Sequence, residues 1–245
     1  MRNLTPAGRL IVAADFKTTP EQLYGVRDSV LRLADSLADT DVYLKVNSAL
    51  RLHGYELIHE IRDRGLRVFA DLKLNDIPET MRTDGALLAH FKPDIVTAMA
   101  SSGIVGMEAL KQQLPDTEVL AVTVLTSLDN DESMKLFRQF VPTTVLNFAE
   151  HAHRARVDGL IASPKEVQSL RTAFPESDWP DLTLNTPGIR PEWATVEGDD
   201  QKRVMTPAEA ISVGATRIVV GRPIIQADNP REAVLRTIEE IASAV

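Results

Sequence analysis

Eight short apolar segments rich in valine, isoleucine and leucine recur along this chain, and stretches with helical periodicity separate them. The predicted strands span residues 9–14, 42–46, 67–72, 94–98, 119–125, 159–163, 182–185 and 216–221. The predicted helices span residues 20–38, 54–64, 78–91, 103–113, 145–156, 165–173, 206–213 and 230–244. Near-continuous apolar strands that alternate with helices are typical of parallel sheets, so the pattern predicts an α/β fold.

Eight β-then-α units can close into a single (β/α)8 TIM barrel, and the 245 residues of the chain are close to the ~250 typical of such a barrel. An open doubly wound sheet is the main alternative. Gly65 and Gly214 each follow a predicted helix, where glycine tolerates the left-handed conformation that ends it. Neither a change in composition nor a linker divides the sequence, which predicts one domain over residues 1–245.

The charge balance narrows the class of ligand. The formal net charge is −8 and no run of lysine and arginine occurs, which argues against a nucleic-acid-binding protein. The absence of cysteine excludes disulfides, thiolate metal sites and a cysteine nucleophile. No signal peptide and no apolar run of ~18 residues is found, so we expect a cytoplasmic protein without membrane contact. A small phosphorylated metabolite, held by a few placed cations, is the favoured ligand.

Charged residues occur at the ends of three consecutive predicted strands. Asp15 follows the first strand, Lys45 lies in the second, and Asp71 and Lys73 end the third, with Asp76 on the loop beyond. Because side chains alternate along a strand, Asp71 and Lys73 share a face. Each residue alone is explained as a helix cap or a surface lysine, but buried charges together must pair. Active sites of parallel barrels form where strands end, so this cluster is the candidate site.

A phosphate site is predicted independently in the loops after strands seven and eight. Barrels commonly bind phosphate there, and these loops contain Gly188, Arg190, Gln201, Gly221 and Arg222. Glycine lets an oxyanion approach backbone N–H groups, and arginine offers a charged fork. For Arg190, an arginine in a solvent-exposed turn is an equally good interpretation. The polar connection over residues 190–203 is a candidate lid over the phosphate.

The sequence also resembles a known family. Residues 71–80, DLKLNDIPET, resemble the DxKxxDIPxT signature of the orotidine 5′-phosphate decarboxylases. Further similarity follows in family order at residues 123–127 (TVLTS), 158–159 (DG), 186–191 (TPGIRP), 200–201 (DQ), 205–207 (MTP) and 221–224 (GRPI). The resemblance therefore covers nearly the whole chain.

The resemblance implies decarboxylation of orotidine 5′-monophosphate to uridine 5′-monophosphate in de novo pyrimidine biosynthesis, without metal or cofactor. It implies that Lys73 donates the proton within an array of Lys45, Asp71, Lys73 and Asp76. It further implies a homodimer with shared active sites, in which the neighbouring subunit supplies Asp76 and Thr80. The substrate-binding residues that it implies are Asp15, Lys45, Ile77, Thr80, Thr126, Pro187, Arg190, Gln201, Gly221 and Arg222.

The choice of Lys73 also has a chemical reason. Loss of CO2 from C6 of the pyrimidine leaves a carbanion outside the ring π system, so its stabilisation must be electrostatic. An ammonium beside C6 stabilises that charge and then supplies the proton. Flanking carboxylates at Asp71 and Asp76 would favour the charged form of the lysine.

Three features depart from the expected pattern. Residues 97–100 read TAMA, with Met99 where many family members have histidine. Asn185 lies in a buried strand, where an apolar residue would fit better. His151 and His153 form an H-x-H pair, but on a helix residues two apart face different directions, so we expect no metal there.

Two alternatives to decarboxylation by Lys73 remain open. One is a metal-dependent sugar-phosphate lyase or decarboxylase of the same superfamily, with the carboxylates of strand three as Mg²⁺ ligands. The other is a non-catalytic nucleotide-binding barrel.

Overall fold

Eight parallel strands close into a barrel in this computed structural model, which describes residues 4–194 and 205–245. The strands pair in chain order, and β1 closes the barrel against β8 with Ile11 opposite Val219. Their bounds are β1 Leu10–Ala13, β2 Tyr43–Val46, β3 Arg67–Leu74, β4 Ile95–Met99, β5 Glu118–Val122, β6 Gly159–Ile161, β7 Thr183–Thr186 and β8 Arg217–Val220. The predicted (β/α)8 TIM barrel is therefore confirmed, and the open sheet is excluded.

Helices surround the barrel. They are α1 Gly25–Leu37, α2 Ser48–His53, α3 Glu56–Arg62, α4 Pro78–Phe91, α5 Gly103–Gln113, α6 Asn130–Phe137, α7 Val141–Arg154, α8 Val167–Ala173, α9 Pro207–Ser212, α10 Arg222–Ile225 and α11 Pro230–Ala242. The predicted stops are confirmed, since Gly65 and Gly214 have φ of +79° and +104°. Within the described ranges, no helix combines the length and the apolar character needed to cross a membrane.

Three short helices, α2, α6 and α10, are absent from the sequence-based prediction, which was also wrong on one long helix. The interval 20–38 is a 3₁₀ turn at Pro20–Gln22 followed by α1. The sequence carries a signal for α6, because Asp129 accepts from the N–H of Glu132 while Glu132 accepts from the N–H of Asp129. The three omitted helices have only four to eight residues, so their helical period is weak.

The strands bury side chains on both faces. Outward-facing residues such as Leu10 and Val12 pack under the helices, in the large apolar core. Inside the barrel lies a smaller apolar set, called the inner cluster, which consists of Ile11, Ala13, Tyr43, Phe69, Ile95, Leu120 and Val219. The inner cluster fills the middle of the barrel, so the two ends of the strands are separate environments.

A buried ion pair occupies the base of the barrel, at the amino ends of the strands. The side chains of Arg217 and Glu118 are 1% and 6% exposed and form two parallel bonds of 2.9 Å. Thr183 donates to Glu118, and Asn185 accepts from Arg217 at 3.1 Å and donates to Thr183 at 3.2 Å. The expectation that an apolar residue would suit position 185 was wrong, because the amide accepts from Arg217 and donates to Thr183.

Candidate active site

Charged side chains meet at the mouth of the barrel, at the carboxyl ends of β1, β2 and β3. The Lys45 Nζ atom lies 2.8 Å from Asp15 Oδ2 and 3.1 Å from Asp71 Oδ2. The Lys73 Nζ atom lies 2.7 Å from the same Asp71 oxygen. The structure thus brings together four of the predicted residues and places one carboxylate between two ammonium groups.

Burial and charge act in opposite directions on this cluster. Burial tends to lower the pKa of Lys45, but the charges of Asp71 and Asp15 outweigh it, and the pKa is raised above its ordinary value. Burial tends to raise the pKa of Asp71, but Lys45 and Lys73 lower it below its ordinary value. Both groups are therefore ionised at neutral pH. The side chains of Lys45 and Asp71 are 8% and 9% exposed, while that of Lys73 is 31% exposed, so Lys73 is the more open of the two lysines.

A cavity of about 510 Å³ opens at the mouth and includes this cluster. Six other predicted residues line it, namely Thr126, Pro187, Gly188, Arg190, Gly221 and Arg222. Cations of the β2 and β3 ends thus share one cavity with the arginines that follow β7 and β8. The volume lies in the range of small-molecule sites in proteins.

The loops after β7 and β8 bring backbone close to the cavity. Gly221 follows β8 directly and lies beside β1, so that a side chain there would contact Ala13, and Arg222 begins α10. Ile189 pairs with Met205, and the Arg190 N–H donates to the Met205 carbonyl at 2.9 Å. The two ends of the predicted lid segment therefore meet at the mouth. Gln201, together with residues 195–203 of that segment, lies outside the described residues.

Three predicted residues lie apart from the cavity of their own chain. Among the described residues, its lining does not include Asp76, Ile77 or Thr80. Asp76 accepts from the Ile77 N–H at 2.7 Å, and the Ile77 side chain is 66% exposed. Burial raises the pKa of Asp84 on α4, and the charge of Asp76 raises it further. Within the described chain, the amine of Lys73 forms an ion pair with Asp71.

The sequence-based prediction omitted several residues at the site. Thr97 on β4 is fully buried and donates to Asp71 at 2.9 Å. A signal existed, since Thr97 is a polar residue two positions after the inward-facing Ile95. Lys17 and Gln226 also line the cavity, and both lie in loops where periodicity gives no direction.

The histidine pair on α7 has a packing role. The His153 ring stacks on Trp179 with a centroid distance of 5.0 Å, while the His151 ring lies 6.3 Å from Phe148. The two imidazoles thus contact different neighbours, as their spacing predicts.

Comparisons with known proteins decide the family of the chain. The model of the family described as "Orotidine 5'-phosphate decarboxylase / HUMPS family" matches residues 8–237. This chain belongs to that family. An orotidine 5′-phosphate decarboxylase of Streptococcus sanguinis is 38% identical over 229 residues, covering 92% of this chain and 94% of the relative.

A second relative and a solved structure support the same family. An orotidine 5′-phosphate decarboxylase of Pseudomonas fluorescens is 36% identical over 240 residues, covering 95% of this chain and 97% of the relative. The crystal structure of orotidine 5′-phosphate decarboxylase from Lactobacillus acidophilus matches with a TM-score of 0.74 at 30% identity, covering 95% of this chain and 98% of that one. Sequence and fold thus agree over nearly the full length.

Proposed function

We propose that this protein decarboxylates orotidine 5′-monophosphate to uridine 5′-monophosphate in pyrimidine biosynthesis, with Lys73 as the proton donor. The observation that carries the proposal is the ammonium of Lys73, held 2.7 Å from buried Asp71 on the wall of the cavity that Arg222 also lines. The cavity thus combines the ammonium of Lys73 with an anion site at Arg222. This combination fits a nucleotide that reacts at its base, far from its phosphate.

The reaction breaks the bond between C6 and the carboxylate, and CO2 leaves. The electron pair stays on C6, and the proton from the Lys73 ammonium forms the new C–H bond. Solvent then returns a proton to the amine. Fixed charges stabilise the carbanion without reorganisation during the reaction, and this term is usually the largest in catalysis. Because the pKa of Asp71 is lowered, this carboxylate stays ionised and keeps the ammonium groups of Lys45 and Lys73 in place.

The remaining roles follow the order of groups along the nucleotide. Arg222 and the Gly221 backbone bind the phosphate, with Arg190 and Gln201 from the lid segment. Asp15 and Lys45 bind the ribose hydroxyls, and their 2.8 Å contact lies at the cavity wall. Thr126 and Pro187 contact the pyrimidine. Phosphate contacts remote from C6 provide binding energy. Closure of the lid uses this energy to lower the activation barrier of decarboxylation.

The donor set argues against a magnesium-dependent lyase. In such an enzyme the Asp71 carboxylate would be a metal ligand. Here one Asp71 oxygen accepts from two lysines and the other accepts from Thr97, so three of its about four acceptor sites are occupied. Two ammonium groups within 3.1 Å of that carboxylate also oppose a nearby divalent cation by charge repulsion.

The test compares metal-free wild type with Lys73→Ala, following the absorbance of orotidine 5′-monophosphate. We expect the wild type to remain active after exhaustive EDTA treatment. Lys73→Ala is expected to lose a factor of roughly 10³ or more, the upper range for a positioned acid. EDTA-sensitive turnover would favour the lyase, and tight binding of uridine 5′-monophosphate without turnover would favour a non-catalytic barrel. Activity retained in pure Lys73→Ala would remove Lys73 as the proton donor.

A homodimer that shares its active sites is part of the proposal. What supports it is the position of Asp76, Ile77 and Thr80, which belong to the family signature but lie apart from their own chain's cavity. The exposed apolar side chain of Ile77 is the kind of residue that a second copy covers. A single domain over residues 1–245 and a cytoplasmic location belong to the same proposal.

Mixing two inactive variants tests the shared site. Lys73→Ala and Asp76→Ala are each expected to be nearly inactive. Refolded together, they form mixed dimers in which one of two sites has both native residues, so about a quarter of wild-type activity is expected to return. Light scattering on the wild type gives the mass of the assembly as the control. A mixture no more active than its components would show that Asp76 serves no partner.

A further inference from the structure

Strand β3 is irregular at the point where its charged side chains enter the cavity. The register between β3 and β4 shifts between Ala70 and Leu74, so that β3 uses four residues where β4 uses two. Asp71 and Lys73 lie inside this bulge, and Lys73 has φ of +51°. A residue with a side chain adopts that left-handed conformation only where its surroundings hold it.

Thr97 on β4 lies opposite the bulge and supplies a contact that regular pairing would otherwise make. Its oxygen accepts from the backbone N–H of Lys73 at 2.9 Å, and its hydroxyl donates to Asp71 Oδ1 at 2.9 Å. These directions are fixed, because an N–H only donates and an ionised carboxylate only accepts. One fully buried hydroxyl therefore joins the backbone of the proposed proton donor to the carboxylate that pairs with its amine.

We infer that Thr97 is a positioning residue, which holds the Lys73 backbone and the Asp71 carboxylate in the geometry that presents the Lys73 amine to the reacting carbon. Thr97 is not among the described residues that line the cavity, so it acts through its two partners. The inference rests on the proposed function, since it concerns the same reaction. The position of the amine must be held closely, because a displacement of about 1 Å in a catalytic group can cost roughly 100-fold in rate.

Thr97→Val tests the inference, because valine keeps the shape of threonine and removes the hydroxyl. We expect kcat to fall by roughly 100-fold while KM stays within about threefold, since Thr97 has no direct contact with the phosphate residues and Lys45 keeps its bond to Asp15. Thr97→Ser restores the hydroxyl and is expected to return kcat to within about tenfold of wild type. A residue needed only for folding would not show this division between kcat and KM.

Thr117→Val is the matched control. Thr117 is also buried, and its hydroxyl donates to the Pro93 carbonyl at 2.8 Å, but at the amino ends of β4 and β5. Its kcat is expected to equal that of wild type. Should Thr97→Val fail to fold, Thr97→Ala replaces it, and an alanine variant as fast as Thr97→Ser would overturn the inference.

Two failures can be told apart. Wild-type protein without decarboxylase activity would contradict the proposed function and with it this inference. An active wild type whose Thr97→Val variant keeps kcat within about threefold of Thr117→Val would contradict the inference alone.

Discussion

The interior of the barrel contains two charged networks, one at each end of the strands, and they satisfy their charges differently. At the base, Arg217 and Glu118 form two parallel bonds, and both side chains are almost fully buried. At the mouth, the single carboxylate of Asp71 is shared by Lys45 and Lys73, and exposure increases toward Lys73. The inner cluster of apolar residues separates the two.

The difference indicates how buried charge relates to function. A buried ion is costly unless partners satisfy it, so both networks must be paired. The base pair does not line the cavity at the mouth, and its two side chains are almost fully buried, so its role is in the stability of the barrel. The mouth array holds a cation at the wall of a cavity, where its charge can act on a ligand. This division agrees with the general rule that catalysis occupies the carboxyl ends of barrel strands.

Among the variants that compare the base network with the mouth array, Arg217→Met is expected to have the largest effect. The variant removes the two bonds of the guanidinium to buried Glu118, and removing one partner of a buried pair costs about 3–5 kcal/mol of unfolding free energy. The kcat of the folded variant should match that of wild type, because the inner cluster lies between the base and the cavity. Denaturant unfolding and kcat, measured on the same preparation, check both parts.

The double variant Glu118→Leu with Arg217→Met is the control for that experiment. It removes both charges, and replacing a buried pair by apolar residues is often neutral or stabilising. Part of the lost unfolding free energy should therefore return. A single variant that keeps its stability but loses kcat would show that the base network also serves the reaction.

Arg222→Ala tests the carboxyl end of β8, the strand that begins with Arg217. Arg222 follows β8 and lines the cavity, so its loss should lower kcat/KM for orotidine 5′-monophosphate by roughly 100-fold, or about 2.7 kcal/mol. The unfolding free energy should stay close to that of wild type, in contrast to Arg217→Met. Orotidine, which has no phosphate, is the control substrate, and wild type and variant should process it at similar rates. Near-normal kcat/KM on the phosphorylated nucleotide would remove Arg222 from the phosphate site.

Sequence reasoning reached the mouth array more readily than the base network. Asp71 and Lys73 are two residues apart, so period-two alternation alone places them on one face. Arg217 and Glu118 are 99 positions apart and meet only after the barrel closes. Asn185 looked unsuitable for the same reason, because its partners come from other strands. Long-range pairing of this kind leaves no local pattern.

The bulge in β3 was also beyond the sequence-based prediction. Strand three was expected to end at residue 72, but it continues to Leu74 with a shifted register. A register is set by the neighbouring strand as well as by the chain itself, so the contribution of Thr97 could not be derived from alternation within β3. The sequence thus gives the identity of the charged residues, while the structure supplies what orients them.

The smallest expected effect concerns the pH dependence of stability at the mouth. Burial tends to raise the pKa of Asp71, but Lys45 and Lys73 lower it, so the folded protein binds this proton at a lower pH than the unfolded chain. The contribution of Asp71 to unfolding free energy is thus complete above the unfolded pKa of about 3.9 and is lost as pH falls through the folded pKa. Asp71→Asn cannot titrate there, so its deficit relative to wild type should shrink below about pH 4. Denaturant unfolding of both proteins between about pH 3 and pH 7 measures this difference. Parallel curves would mean that Lys45 and Lys73 do not stabilise the Asp71 charge, and the mouth array would then lose the electrostatic coupling that distinguishes it from an ordinary surface pair.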